Sequence, residues 1–237
     1  MRKQTTSARP AISCALPSCC ARAPTLWCRP SPPILAPMKF WLWSLSRGVP
    51  IETLVQAPQA TRDRVMTVLI GLLFRELFEF QLMQTDPNFA NYRYQPTTGR
   101  VVLLDFGATR EFSPLMADQF RRLMHAGFAG GREAMRASLL DIGFFAEDTA
   151  VHHQRLMLEM VEMSFEPLKR PGAFDFADND LALRMRDAGH ALGADRDFWH
   201  IPPMDTLFMQ RKFAGVYMLA TRLKARVDLR AVLDSCL

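Results

Sequence analysis

Three residues of matched chemistry stand close together in this 237-residue chain: Asp86, Asn91 and Asp105. Two carboxylates and an amide oxygen are what a metal-assisted phosphoryl-transfer centre requires. One carboxylate orients the attacking oxygen, and the other two groups hold magnesium against the phosphates. Asp86 and Asn91 are separated by four residues. Between Asn91 and Asp105 lie Tyr92-Arg93-Tyr94, a stretch containing Pro96 and Gly99, and the apolar run Val101-Val102-Leu103-Leu104. These read as strand, turn and strand. A hairpin returns the chain to its start, so Asp105 at its exit is expected beside Asn91, close enough to share a metal. Asp105-Phe106-Gly107 alone would be a commonplace tripeptide. The Asp-x4-Asn spacing, the hairpin and an apolar helix upstream supply the context that makes it a motif.

The combination resembles the catalytic loop and metal-binding Asp-Phe-Gly of protein kinases. At these residues it resembles one family in particular, the UbiB (AarF) family of atypical kinases linked to coenzyme Q biosynthesis. The matching segments are Arg75-Glu76-Leu77-Phe78-Glu79-Phe80, then Met83-Gln84-Thr85-Asp86-Pro87-Asn88 through Asn91, then Leu104-Asp105-Phe106-Gly107-Ala108-Thr109-Arg110-Glu111. Arg47-Gly48-Val49-Pro50 resembles the segment after the interlobe hinge, and Arg211-Lys212 with Leu223-Lys224-Ala225 the last helix. The resemblance covers roughly residues 44–237 and implies a mainly α chain, α+β by class. This would be a protein kinase-like C-terminal lobe in which a β-hairpin carries the catalytic loop and Asp-Phe-Gly. It implies Asp86 as the catalytic residue, Asn91 and Asp105 as ligands of Mg2+, and backbone near Gly107 shaping the phosphate site of ATP. The implied role is phosphoryl transfer or ATP hydrolysis supporting ubiquinone biosynthesis. A quinone precursor or other lipid would be a partner, with peripheral membrane contact. The implied location is the cytoplasm of a bacterium or the matrix side of a mitochondrion.

The departures from the family are as informative. Only Gly48 precedes Gly71, so no Gly-rich nucleotide loop is present, and neither is the family's alanine-rich loop or Lys-x-Gly-Gln signature. Lys39 lies 47 residues before Asp86, too few for the helix, two strands and long helix that should intervene. The N-terminal lobe is therefore expected to be absent and the chain truncated. After Arg110 there is no Ala-Pro-Glu and little room for an activation segment, and Thr85 replaces the Arg of His-Arg-Asp, which normally pairs with an activation-loop phosphate. Protein substrates are thus disfavoured against a small lipid-like acceptor or water. The competing reading is a catalytically inactive fragment acting as a binding or scaffold module, with the apolar surface that met the other lobe exposed. The intact triad favours the enzyme.

Charge divides the chain. Residues 1–51 hold seven Lys or Arg and no acid, whereas residues 52–237 hold 22 basic and 24 acidic residues. A nucleic-acid partner inferred from the net +5 would rest on the tail alone, and none is expected. That tail also holds eight of the 16 prolines and Cys14, Cys19, Cys20 and Cys28. Proline at such density interrupts any helix or central strand, and the cysteine spacings, with no histidine nearby, fit no zinc motif. Residues 1–43 are expected to be an irregular Pro/Cys/Arg-rich segment, disordered or foreign to the fold, and residues 44–237 the lobe. The longest apolar-rich run, from Val65 to Phe74, has ten residues where a membrane span needs about 20.

The elements that must position the triad follow from periodicity. A short strand over residues 42–45 is expected to lead into a hinge near Ser44 to Arg47, whose backbone could meet an adenine. A helix over residues 60–83, apolar over more than half its circumference, is buried and delivers Asp86. On it, Glu76 and Glu79 are expected at the surface or in ion pairs rather than in catalysis. Ser113-Pro114 caps and opens a helix ending about Ala129. The remainder reads as all-helical, punctuated at Gly130-Gly131, Gly143, residues 167–171, Gly193 and Pro202-Pro203. Its Met and aromatic stripes are read as core packing. His125, His152, His153, His190 and His200 have no acid at useful spacing and are given no catalytic role.

Overall fold

The computed structural model describes residues 26–28, 48–195 and 200–236. The expected strand and hinge over residues 42–47 lie outside the described residues, as does Lys39.

Helix α1 (Gln59–Phe78) is the central pillar, and ten of its residues are buried, among them Val65, Met66, Leu69, Leu73 and Leu77. It was expected to run to Met83, because no glycine or proline lies between Gly71 and Met83. Instead the Phe80 N–H bonds back to the Arg75 carbonyl at 2.8 Å, and Gln81 adopts φ 53°. The chain then forms strand β3 (Leu82–Gln84). The cause is non-local: β3 pairs antiparallel with β6 (Thr109–Glu111), placing Gln84 opposite Thr109.

The expected hairpin is present as β4 (Tyr92–Gln95) and β5 (Arg100–Leu103), in register from Tyr92 opposite Leu103 to Gln95 opposite Arg100. Its turn closes with the Gly99 N–H on the Gln95 carbonyl at 2.7 Å, and Gly99 has the left-handed φ of 67° that favours glycine. Around this hairpin a four-stranded sheet has the order β1-β5-β4-β2, with β1 (Leu26–Cys28) parallel to β5 and β2 (Val49–Pro50) antiparallel to β4. A short 3-10 turn (Ile51–Gln56) joins β2 to the region of α1 and buries Ile51 and Leu54.

Helix α2 (Pro114–Ala129) begins as its residues require. Ser113 Oγ accepts the Met116 N–H at 3.1 Å, and Pro114 occupies a first-turn position where no intrahelical N–H is needed. Helix α3 (Arg132–Ile142) packs against α2. Then follow α4 (Val151–Lys169), β7 (Phe174–Asp175), α5 (Leu181–Ala194), α6 (Met204–Arg222), β8 (Arg226–Val227) and α7 (Leu229–Asp234). The region expected to be all-helical therefore contains one two-residue ladder, β7 against β8. Of the residues read as core stripes, Phe165, Val216 and Leu219 are buried, whereas Leu156, Met160, Met163, Phe208 and Phe213 are half-buried. Among the described residues no helix is long and apolar enough to cross a membrane.

Two glycines let helices approach closely. A Cβ on Gly127 would overlap the ring of Phe165, and one on Gly215 would overlap the Cβ of Pro87. The second contact matters for function, because it seats α6 against the residue that follows Asp86. Gly215→Ala is expected to cost about 1–3 kcal/mol through overpacking, read as a lower urea midpoint. Gly71→Ala, on α1, meets only Val232 at an ordinary 3.7 Å and serves as the tolerated control.

Candidate active site

Strand β3 ends at Gln84, and the next residue is pinned. The Thr85 N–H and Oγ both donate to the Ala108 carbonyl, at 2.8 and 2.7 Å. Position 85, where a kinase has Arg, is thus a buried structural threonine tying the Asp86 loop to the segment after Gly107. A 3-10 turn (Phe89–Asn91) follows, capped by Asn88 Oδ1, which accepts the Ala90 N–H at 3.0 Å. It brings Asn91 back towards Asp86, so that Asn91 Nδ2 donates to Asp86 Oδ2 at 2.9 Å.

Asn91 is also where the hairpin closes. Its backbone carbonyl accepts the Leu104 N–H at 3.0 Å, so the residue immediately before Asp105 is bonded to Asn91. The geometry places Asp86 and Asn91 in direct contact and Asp105 at the end of the adjacent strand, as the spacing predicts. Asp105 Oδ1 accepts the Gly107 N–H at 2.7 Å, an Asx-type turn that fixes its carboxylate. Gly107 suits this position: a Cβ there would lie 3.1 Å from that same oxygen. Phe106 turns inward and is 5% exposed, whereas Asp105 is exposed to solvent.

Beneath these groups lies a cavity of about 10 Å³, room for a water-sized group, whose lining includes Asn91, Asp105, Glu76, Gln84, Tyr92 and Lys212. Glu76 and Lys212, on α1 and α6, are 1% and 2% exposed, and their charged atoms lie 3.6 Å apart. Lys212 Nζ also donates to Gln84 Oε1 at 3.0 Å and to the Tyr92 hydroxyl at 2.9 Å. Glu76 Oε1 accepts the Gln84 N–H at 3.4 Å. Burial pushes the Glu76 carboxyl above its ordinary range, with Lys212 pulling it part of the way back. Burial alone would lower the Lys212 ammonium, but Glu76 and Tyr92 outweigh it and hold the group above its ordinary range. Glu76 is thus ion-paired, as one of the two expectations had it, and wholly interior.

Next to Lys212, Arg211 projects the other way. Its Nη2 lies 3.7 Å from Asp86 Oδ1, with the side chain 60% exposed. Arg110 pairs with Asp205 at 2.6 Å and lies over the Phe208 ring at 4.5 Å, docking β6 on the start of α6. Residue types alone did not single out Arg211 and Lys212 as site residues. The available signal was a lysine within the apolar stripe of α6 between Met209 and Val216, and a glutamate within that of α1.

Residues 39–139 match the ABC1 atypical kinase-like domain. Against solved structures, the chain resembles the Rv3197 protein of Mycobacterium tuberculosis, solved in complex with erythromycin. The TM-score is 0.57 at 20% identity, covering 80% of this chain and 47% of that one, which is a likeness of fold. Among curated proteins it is 32% identical over 186 residues to the zebrafish (Danio rerio) atypical kinase COQ8B, mitochondrial, covering 78% of this chain and 30% of the relative. The rat (Rattus norvegicus) COQ8B is 32% identical and the Saccharomyces cerevisiae COQ8 29%, with 35% and 36% of their lengths covered. The chain is thus a member of the COQ8/UbiB family of atypical kinases by homology over about 78% of its length. It spans about a third of the length of these relatives.

Proposed function

We propose that this chain carries the metal-binding and acceptor-facing half of an atypical kinase or ATPase of COQ8/UbiB type, acting in coenzyme Q biosynthesis with Mg-ATP. The observation that carries this reading is the bridging role of Asn91, whose side chain bonds Asp86 while its backbone carbonyl holds the residue before Asp105.

The donor set fits magnesium, a hard cation that takes oxygen ligands. Asn91 and Asp105 would hold the ion, and Gly107 keeps the Asp105 carboxylate from rotating away. Bound there, the metal would neutralise charge developing on the transferred phosphoryl group. Asp86 orients the acceptor hydroxyl or a water, with Arg211 Nη2 3.7 Å from its carboxylate. The Asp86 side chain is half-buried and keeps access to solvent. The acceptor is a small lipid-like molecule, such as a quinone precursor, or water. Only a few residues separate Gly107 from the Ser113 cap, and β6 and the Arg110–Asp205 pair occupy that span, leaving little chain for a peptide-docking platform. The kinase-like unit is assigned to residues 44–237, with the sheet extended upstream of it by β1.

Calorimetric titration of Mg-ATP into the full chain, up to millimolar nucleotide, tests this reading. Binding is expected to require magnesium and to weaken about 10–100-fold or more in Asp105→Asn, as loss of a metal-supporting group does. A folded sample that binds no Mg-ATP, or binds it equally with and without magnesium, would overturn it.

A further inference from the structure

Away from that centre, two imidazoles and a carboxylate converge where α4 begins and α5 ends. His152 and His153 are the second and third residues of α4, and Asp195 is the C-cap of α5. His152 Nε2 and His153 Nε2 lie 3.0 and 2.7 Å from the same Oδ2 of Asp195. The ring centroids are 3.9 Å apart with an interplanar angle of 48°. One ligand atom from each residue falls within 4.8 Å of the others. The His153 side chain is 2% exposed, that of Asp195 34% and that of His152 55%. The expectation that these histidines lack a partner acid is therefore corrected: Asp195 is more than 40 positions away in sequence, and only the packing of α5 on α4 supplies it.

We propose that His152, His153 and Asp195 form a binding site for a borderline divalent cation of the Zn2+ class. Consecutive helical residues diverge by about 100° around the axis and do not ordinarily share a target. Here both rings turn their Nε2 atoms onto one oxygen. Two imidazoles and a carboxylate are a ligand set that Zn2+ takes. Tetrahedral zinc, with bonds of about 2.0–2.2 Å, spaces its donors about 3.4 Å apart. The observed spacings need to open by about half an ångström, which rotation of the half-exposed His152 and Asp195 provides. Water at the exposed His152 would complete the coordination. The positive end of α4 and the negative end of α5 meet here, so their dipoles largely offset. Such an ion would clamp the end of α5 to the start of α4, and α6, with Arg211 and Lys212, begins at Met204 shortly afterwards. The two centres select different metals: oxygen donors at Asn91 and Asp105 for Mg2+, imidazole nitrogen here.

The test is titration of Zn2+, and of Co2+ as a spectroscopic probe, into chelator-stripped full chain. One ion per chain is expected, unaffected by millimolar Mg2+, with a Co2+ visible spectrum free of thiolate charge transfer. His152→Ala, at an exposed position that keeps the fold, and Asp195→Ala should each weaken binding at least about tenfold. Saturating Zn2+ should raise Tm by about 5–10 °C in the parent and not in the variants. The proposal is overturned if the parent takes up no stoichiometric ion. It is equally overturned if the ion bound gives a thiolate spectrum, assigning it to the cysteines, or if both variants bind as tightly as the parent. None of these outcomes depends on ATP, so this site and the Mg-ATP site stand or fall separately.

Discussion

Asp86→Asn is expected to lower the rate of ATP hydrolysis or phosphoryl transfer by about 10²–10⁴-fold, the usual contribution of a positioned general base, with Mg-ATP affinity changed only a few-fold. The substitution is nearly isosteric, and the new amide oxygen can still accept the Asn91 Nδ2 hydrogen bond that the carboxylate now receives at 2.9 Å. What it removes is the charge that, in the proposed role, draws the acceptor proton, and that lies 3.7 Å from Arg211. A single-turnover assay alongside calorimetry separates the two effects. An Asp86→Asn protein that turns over at the parent rate would show that Asp86 does not face the acceptor. Parallel loss of binding and rate would instead make Asp86 a metal ligand.

Lys212→Met is expected to destabilise the chain by about 3–5 kcal/mol, the cost of leaving one member of a buried ion pair behind. Glu76 is 1% exposed and would face an apolar side chain, while Gln84 Oε1 and the Tyr92 hydroxyl each lose a hydrogen-bond donor. The double variant Glu76→Leu with Lys212→Met should recover most of the loss, because it removes both charges together. Urea midpoints of the parent, single and double variants measure this directly. A single variant within about 1 kcal/mol of the parent would mean that the pair is not desolvated as the packing implies. The raised Lys212 pKa carries a sign that can be checked in the same experiment. Its stabilising contribution is complete below the ordinary lysine value of 10.5 and is lost as pH rises through the higher folded value, so this contribution of Lys212 is present at neutral pH.

These two residues mark the difference between local and non-local information. The Asp86–Asn91 contact was legible because both residues lie within a loop of six, and the hairpin that returns Asp105 follows from alternation and a Pro/Gly turn over the next stretch. Ser113-Pro114 was legible for the same reason, since a cap is made by residues three apart. The end of α1 was not. Its apolar period continues past Phe78 without a breaker, and the strand that replaces it exists because Thr109–Glu111 offers a partner ladder. Lys212 and Gln84, 128 positions apart, could not be paired from composition. Each is only a polar residue in an apolar stripe until α6 is laid across α1. The same holds for Asp195 and the two histidines.

By itself, then, the sequence determined the residue types of the candidate centre, their order along a loop and hairpin, and the family to which the chain belongs. All of these reside in short-range spacing, where the backbone leaves few conformations. The tertiary structure alone decided how the Asp86 loop is tied to the segment after Gly107 through Thr85, which charges are buried beneath the centre, and which acid meets His152 and His153. Those outcomes depend on how helices and strands distant in the chain pack together, and packing is set by the summed burial of whole faces rather than by any motif that a short stretch can carry.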